Sequence, residues 1–154
     1  MNIKIVSILE HILEHTTRIK NICSRVDNNK DLILNDYLYY DAIFMNIIQI
    51  GENAKLLPEC YVKCTDIDIP WNKIRGFRNR IVHEYNKVDF DIFWKVVSEE
   101  ITKLHYFVST KLDEYNMVIN TVVEYSDEVD NSNVDVLSFL RSEATLQGYD
   151  IKDK

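Results

Sequence analysis

Glycine and proline are scarce in this chain of 154 residues, which contains only three glycines and two prolines. Both residue types favour turns and are costly inside helices, so a chain with few of them is typical of long helices joined by few tight turns. Hydrophobic residues make up 46% of the sequence, enough for one core at a length that is usual for one domain. The composition therefore predicts an all-α fold, an antiparallel helical bundle.

The sequence also lacks a cysteine framework and a long apolar run. Its three cysteines are an odd number, which is untypical of disulfide-bonded secreted proteins and favours a reducing cytoplasm. In the N-terminal segment "MNIKIVSILEHILEH", the polar residues Glu10, His11 and Glu14 interrupt the apolar residues before they reach the length of about 18 that a membrane span needs. We expect a cytoplasmic protein without a signal peptide, a transmembrane helix or contact with a membrane.

The formal net charge of −7 is unevenly distributed along the chain. Residues 1–111 contain 15 basic and 15 acidic side chains, whereas residues 112–154 contain 3 basic and 10 acidic ones. This contrast predicts a neutral helical domain over residues 1–112 and an acidic C-terminal extension over residues 113–154, partly helical or disordered. The segment "WNKIRGFRNRIVHEYNK", residues 71–87, has a net charge of +4, which indicates a polyanionic partner.

Apolar residues at helical spacing predict two long helices in the first half of the chain. The first runs from about Asn2 to Val26, and the second runs from Tyr37 to Leu57, where Pro58 stops it. Gly51 lies inside the second helix, and we expect it to mark the close approach of a neighbouring backbone.

Segment 59–69 is predicted to be a connecting loop. Pro70 suits the first position of a short helix, for which Gly76 is the candidate end. This arrangement would place Arg78 at the junction between the short helix and the helix that follows it.

A last long helix is predicted by apolar spacing over residues 93–112, with Asp89 or Asp91 as its cap. The segment "MVINTVVEY" that follows is rich in β-branched residues, so it either extends this helix or forms a strand. A short amphipathic helix is predicted near residues 136–144, within the acidic extension.

The spacing inside "RNRIVHEY" brings polar groups together. Asn79 and Arg80 are four and three residues before His83, so the three side chains share one face of a helix. Arg78 is five residues before His83, about 140° away on a regular helix, and reaches it only through its long side chain or an irregular helix start. The alternative interpretation is a solvated basic face on which a carboxylate pairs with His83.

An arginine and a histidine that lie close together can cut RNA without a metal. Histidine exchanges a proton with the 2′-hydroxyl or the leaving oxygen, and a guanidinium stabilises the extra charge of a pentacoordinate phosphorane. The product would be a 2′,3′-cyclic phosphate, and DNA would be spared because it lacks the nucleophile. In such an enzyme Lys73, Arg75 and Arg80 would bind the RNA backbone.

The pattern of Arg78, four residues, His83, one residue and Tyr85 resembles the Arg-x4-His-x-Tyr motif of the HepT family, the toxin members of the HEPN ribonuclease superfamily. The segments "QIGENAKLLP", "IPWNKIRGFRNRIVHEY" and "VDFDIFWKVV" are similar to HepT sequence in the same order, so the resemblance covers roughly Ile3–Leu112. It implies a HEPN-like all-α fold, a two-fold homodimer with both motifs in one cleft, and metal-independent endoribonuclease activity without a cofactor. Arg78 and His83 would be catalytic, and Asn79 would support them.

HepT proteins are usually encoded beside a nucleotidyltransferase antitoxin, which in the best understood systems attaches AMP to the motif tyrosine. The resemblance therefore implies an RNA-cleaving toxin with such a partner, and Tyr85 as the modified residue. Phosphate charge beside His83 would repel RNA and fill the cleft, which is a physically reasonable way to switch the enzyme off.

Two alternatives to a nuclease remain open. One is a non-catalytic HEPN-type binding subunit that presents substrate to an associated nucleotidyltransferase, and the other is a plain helical interaction protein. The acidic extension departs from the usual HepT pattern, and it is either a solvated appendage or a segment that docks over the basic cleft or onto the partner.

Overall fold

A computed structural model describes residues 1–83 and 88–128, and in these ranges every regular element is helical. The longer helices are α1 (Ile3–Arg25), α3 (Tyr37–Leu56), α5 (Trp71–His83) and α7 (Ile101–Glu128). The shorter ones are α2 (Lys30–Asn35), α4 (Glu59–Thr65) and α6 (Phe90–Lys95), and a π-helical turn, Val96–Glu100, joins α6 to α7. The predicted all-α bundle is confirmed.

Helix α3 is central to the bundle. It packs against α1 and α5, and α1 packs in turn against α7. Short helix α2, which the sequence pattern did not predict, also packs against α3. Each buried aliphatic side chain contributes about 1.5–3 kcal/mol relative to an exposed one. The core includes the following side chains, all at most 2% exposed: Leu9, Ile12, Ile19, Ile43, Phe44, Ile50, Trp71, Ile81 and Val108.

Side-chain caps begin the first and the sixth helix close to where the sequence predicts. Asn2 Oδ1 accepts a hydrogen bond from the backbone N–H of Lys4 at 2.8 Å. At the start of α6, Asp89 Oδ1 accepts from the N–H groups of Asp91 at 2.8 Å and Ile92 at 3.2 Å. Of the two candidate caps, Asp89 is therefore the one that performs this function.

The predicted loop over residues 59–69 is wrong in its first part, where α4 forms instead. Val62 is buried, and Thr65 Oγ1 donates to the carbonyl of Tyr61 at 2.8 Å. The same hydroxyl accepts a hydrogen bond from the buried Trp71 Nε1 at 2.8 Å. Because α4 has only seven residues, it is too short to show a clear apolar period, and its tertiary contacts stabilise it.

Gly76 does not end a helix, because α5 continues through it to His83. Trp71 and Ile81 are fully buried on either side of Gly76, so a continuous apolar face holds α5 against the core. This packing outweighs the cost of about 1 kcal/mol for a glycine inside a helix. Arg78 consequently lies within a regular helix, and its predicted place at a junction between two helices is wrong.

Helix α7 continues past residue 112 to Glu128, the last residue that the structure describes. Of the two alternatives for "MVINTVVEY", residues 117–125, the helix is the one observed. The amphipathic helix predicted near residues 136–144 lies outside the described residues. Among the helices of residues 1–83 and 88–128, none combines the length and the apolar character that crossing a membrane requires.

Candidate active site on helix α5

Gly51 of α3 and Arg78 of α5 are in direct contact. A Cβ atom added to Gly51 would lie 2.3 Å from Arg78 Cβ and 2.7 Å from its Cγ, closer than real carbon atoms approach. Helix α3 therefore needs glycine here for α5 to pack at this distance. The expected close approach at Gly51 is found, although the group that approaches is chiefly the side-chain stem of Arg78 and not a bare backbone.

Two neighbours hold the guanidinium of Arg78. Its Nη2 forms an ion pair with Oε1 of Glu52, the residue after Gly51, and its Nη1 donates to Asn79 Oδ1 at 3.1 Å. Lys55 Nζ lies 3.6 Å from the same carboxylate oxygen of Glu52. The Arg78 side chain is 21% exposed, so one part of it still reaches solvent. The structure thus brings Arg78 and Asn79 together as a positioned pair.

Glu52 was not among the residues predicted from the sequence. Its place directly after a glycine within an apolar helix is the signal that could have drawn attention to it, because a close helix approach at Gly51 brings the next residue beside the partner helix. Which residue of the partner helix it meets depends on the packing of α5 against α3, and no local pattern contains that information.

His83 is the last described residue of α5, and its side chain is exposed. It is four positions after Asn79 and five positions after Arg78, so it shares a face with Asn79 and lies about 140° from Arg78. Among the described residues, no carboxylate pairs with His83, and the hydrogen bond and ion pair of Arg78 go to Asn79 and Glu52. One chain therefore places the predicted catalytic residues on two sides of one helix, with Asn79 between them.

Arg75 has a structural task at the C-terminus of α3. Its Nε donates to the carbonyl of Ala54 at 3.0 Å, and its Nη2 donates to the carbonyl of Leu57 at 3.3 Å. The last carbonyl groups of a helix lack partners within the helix, so these bonds and the positive charge cap α3. Arg75 is thus tethered one turn before Arg78, and its part in RNA binding stays a prediction.

The other predicted RNA-binding residues, Lys73 and Arg80, are exposed at the mouth of a cavity between α5, α3 and α7. Within the part of the chain that the structure describes, neither of them pairs with a carboxylate. Tyr85, the candidate for modification, lies outside the described residues.

His105 of α7 differs from the exposed His83, because its side chain is hydrogen-bonded to a neighbouring helix. Its Nδ1 lies 3.1 Å from Thr16 Oγ1, whose own hydroxyl proton is donated to the carbonyl of Leu13 at 2.9 Å. His105 Nδ1 is accordingly the donor to Thr16. Burial, and then repulsion by Lys20, lower the pKa of His105 below its usual value. This histidine belongs to the packing between α1 and α7.

The model of the family described as "Ribonuclease HepT-like" matches residues 12–110, which include the Gly51 contact and all of α5. This chain belongs to the ribonuclease HepT-like family. The resemblance that the Arg-x4-His-x-Tyr motif indicated is confirmed. The HepT-like match also covers the helices that carry Arg78, Asn79 and His83, although the match by itself does not assign roles to them.

Two named relatives illustrate how far the similarity extends. "Putative RNase TTE0752" of Caldanaerobacter subterraneus subsp. tengcongensis is 34% identical over 100 residues, which cover 62% of this chain and 83% of the relative. "Probable ribonuclease HepT" of Thermococcus cleftensis is 36% identical over 63 residues, which cover 41% of this chain and 56% of the relative. No solved structure matches this HepT-like chain significantly.

Proposed function

We propose that this protein is a metal-independent endoribonuclease in which Arg78 and His83 are the catalytic residues. Membership of the ribonuclease HepT-like family and the names of its relatives support ribonuclease activity. The observation that carries the proposal is the fixed position of Arg78. Gly51 packs against its side-chain stem, and Glu52 and Asn79 bind its guanidinium. An arginine that serves only solubility does not need to be fixed by its neighbours, whereas one that stabilises a transition state must be held in place.

The proposed reaction is an intramolecular transesterification, in which the 2′-oxygen of RNA replaces the 5′-oxygen of the next nucleotide on phosphorus. A base removes the 2′-hydroxyl proton, the 2′-oxygen bonds to phosphorus, and the bond to the 5′-oxygen breaks as that oxygen takes a proton from an acid. The products are a 2′,3′-cyclic phosphate and a 5′-hydroxyl. His83 exchanges the proton, and Arg78 stabilises the phosphorane charge, an effect of about 10²- to 10³-fold for a well-placed donor.

A homodimer would resolve the separation of Arg78 from His83 on α5. Val82, one turn after Arg78, is 44% exposed, and Met45, two turns before Glu52 on α3, is 56% exposed. These apolar side chains suit burial against a second copy of the same surface. In such a dimer, His83 of one protomer would act with Arg78 of the other, and Asn79 would orient Arg78.

Cleavage of RNA by the purified protein in EDTA tests this function. Arg78→Ala and His83→Ala should each lower the cleavage rate by roughly 10²-fold or more, the scale of one lost electrostatic or acid-base group. Arg25→Ala, which removes an exposed arginine at the end of α1, is the matched control and should cut normally. A substrate with one 2′-deoxy position should resist cleavage there. Undiminished cleavage by both active-site variants would refute the assignment.

The regulatory part of the proposal is a toxin-antitoxin system. A nucleotidyltransferase antitoxin encoded nearby would neutralise the nuclease and attach AMP to Tyr85. Mass spectrometry of protein co-expressed with that neighbour should locate the added AMP on Tyr85, and Tyr85→Phe should abolish the modification. An unmodified Tyr85 in a complex that is nonetheless inactive would show that neutralisation works by binding alone.

One observation favours the alternative of a non-catalytic subunit that presents substrate to a nucleotidyltransferase. The ion pair with Glu52 offsets the charge of Arg78 in the single chain, which weakens its attraction for phosphate. The two functions are separated by expression without the partner, since a nuclease is toxic and degrades RNA, whereas a presenting subunit does neither.

A further inference from the structure

A cavity of about 570 Å³ lies between α5 and the start of α7. This volume is within the range of about 300–1,000 Å³ that small-molecule sites occupy. Its floor is apolar, and the residues that form it come from α3, α5, α7 and the segment before α5. They include Ile47, Ile50, Ile69, Phe77, Ile101 and Leu104.

The mouth of the cavity carries more positive than negative side chains. Lys73, Arg80 and Lys103 line it together with Asp68 and Glu100. Lys103 Nζ is paired with Glu100 Oε1 at 3.0 Å, whereas no described carboxylate pairs with Lys73 or Arg80. An apolar floor below two cations that pair with no described carboxylate suits a ligand that joins a flat apolar ring to phosphate.

Gly76 also lines this mouth, and its lack of a side chain has no explanation in the packing of the chain. A Cβ atom added there would meet no atom within 4 Å, in contrast to Gly51. Glycine inside a helix is unfavourable relative to alanine, so a bare helix surface at the mouth indicates close approach from outside. On the opposite side, Val96 and Glu100 of the π-helical turn line the cavity, and π-helical turns occur frequently at functional sites.

We propose that the cavity binds one nucleotide of the RNA substrate, with the base on the apolar floor beside Phe77 and the adjoining phosphates on Lys73 and Arg80. This inference rests on the proposed nuclease function, and it adds a subsite next to the scissile bond. At 1.5 Å per residue along the helix axis, Arg80 lies about 4.5 Å before His83, and Lys73 lies about 15 Å before His83. A neighbouring nucleotide of a strand bound at His83 therefore reaches the cavity.

Asp68, which also lines the mouth, is compatible with a bound nucleotide. Asp68 has a carboxylate that can accept hydrogen bonds from the amino group of a base. A protein segment of acidic character is the competing occupant. The nucleotide is favoured because Lys73 and Arg80 lie on the same helix as His83 and lead towards it.

Binding of a short 2′-O-methyl RNA tests the subsite, because this probe lacks the attacking hydroxyl and cannot be cut. Gly76→Leu fills the mouth and should weaken binding of the probe by about 10-fold, the scale of one lost base-stacking site. Asn72→Leu adds the same side chain at an exposed position of α5 outside the cavity and should bind as the unaltered protein does. Leucine favours helix more than glycine, and circular dichroism of both variants checks that they fold.

The outcomes separate this inference from the proposed function. Unaltered probe binding by Gly76→Leu refutes the subsite, even if the protein cuts RNA. Weaker probe binding by Gly76→Leu in a protein that cuts no RNA supports a nucleotide site and refutes the nuclease. If Gly76→Leu binds the probe normally but no longer associates with a second copy or a protein partner in light scattering, the cavity is a protein docking site and the proposal is overturned.

Discussion

Helix α5 has two edges that carry similar side chains in different surroundings. On the edge that faces α3, Arg75 caps the last carbonyl groups of α3 and Arg78 is held by an ion pair. On the other edge, Lys73, Arg80 and His83 are exposed, and no described carboxylate pairs with them. Helix α5 thus combines a tethered edge, which sets geometry, with a free edge, whose side chains are exposed.

The difference between the edges has consequences for binding and for catalysis. A tethered arginine has already lost most of its rotamer freedom, so it loses little more when a phosphate binds to it. A free lysine or arginine attracts RNA over a distance of about one Debye length, and salt screens this attraction. We therefore expect changes of Arg75 and Arg78 on the tethered edge to affect rate and stability, and changes of Lys73 and Arg80 on the free edge to affect affinity.

Gly51→Ala should have the largest effect, because the added methyl group displaces Arg78 from its position against α3. The added methyl group would lie 2.3 Å from Arg78 Cβ, and relief of this clash must move α5 away from α3. We expect cleavage to fall by about 10²-fold and the free energy of unfolding to fall by about 1–3 kcal/mol. RNA cleavage and urea denaturation measure the two effects.

The matched control for Gly51→Ala is the same substitution at Gly76. Because nothing lies within 4 Å of an added Cβ there, Gly76→Ala should raise the free energy of unfolding by about 0.5–1 kcal/mol. Equal effects at the two glycines would contradict the distinction between the tethered and the free edge.

Glu52→Gln tests whether the ion pair positions Arg78. Glutamine keeps the size of the side chain but removes the charge that orients the guanidinium, so kcat should fall by about 10-fold while KM changes little. Glu52→Asp should recover part of the rate because it restores the charge. A faster enzyme with a lower KM would show instead that Glu52 suppresses the attraction of Arg78 for RNA.

Arg75→Ala and Arg80→Ala should affect different properties. Loss of Arg75 leaves the carbonyl groups of Ala54 and Leu57 without their partner and should lower the free energy of unfolding by about 1–2 kcal/mol. Loss of Arg80 should change stability by less than about 0.5 kcal/mol. It should reduce the slope of log affinity for RNA against log salt by about 0.7, the value for one phosphate contact on a single strand. Titrations at several salt concentrations measure this slope.

The smallest effect concerns the tethered histidine, His105. Its pKa is lowered in the folded state, so below a pH of about 6.5 the unfolded chain binds a proton that the folded chain resists. Stability should therefore fall as the pH decreases from about 6.5 through the folded pKa. Urea denaturation between about pH 7.5 and pH 5 measures this loss. His105→Gln should reduce the loss, because it removes the group whose pKa is lowered on folding.

Much of the fold was predictable from local patterns. The bounds of α1 and α3 agree with the predictions within about one residue, because apolar spacing and the terminating Pro58 act over a few neighbouring residues. Helix α4 was missed since a short helix shows no clear period. The prediction that Gly76 ends a helix is wrong for a different reason, because burial of Trp71 and Ile81 overrides the local tendency of glycine to end a helix.

The all-α class, the concentration of basic residues on α5 and the membership of the HepT-like family follow from composition, apolar period and motif spacing, which are properties of neighbouring residues. The folded chain adds that Arg75 and Arg78 are tethered to α3, whereas Lys73 and Arg80 pair with no carboxylate among the described residues. The physical reason is that these contacts depend on how two helices far apart in the chain pack together, and this packing is set at Gly51 by the absence of one side chain.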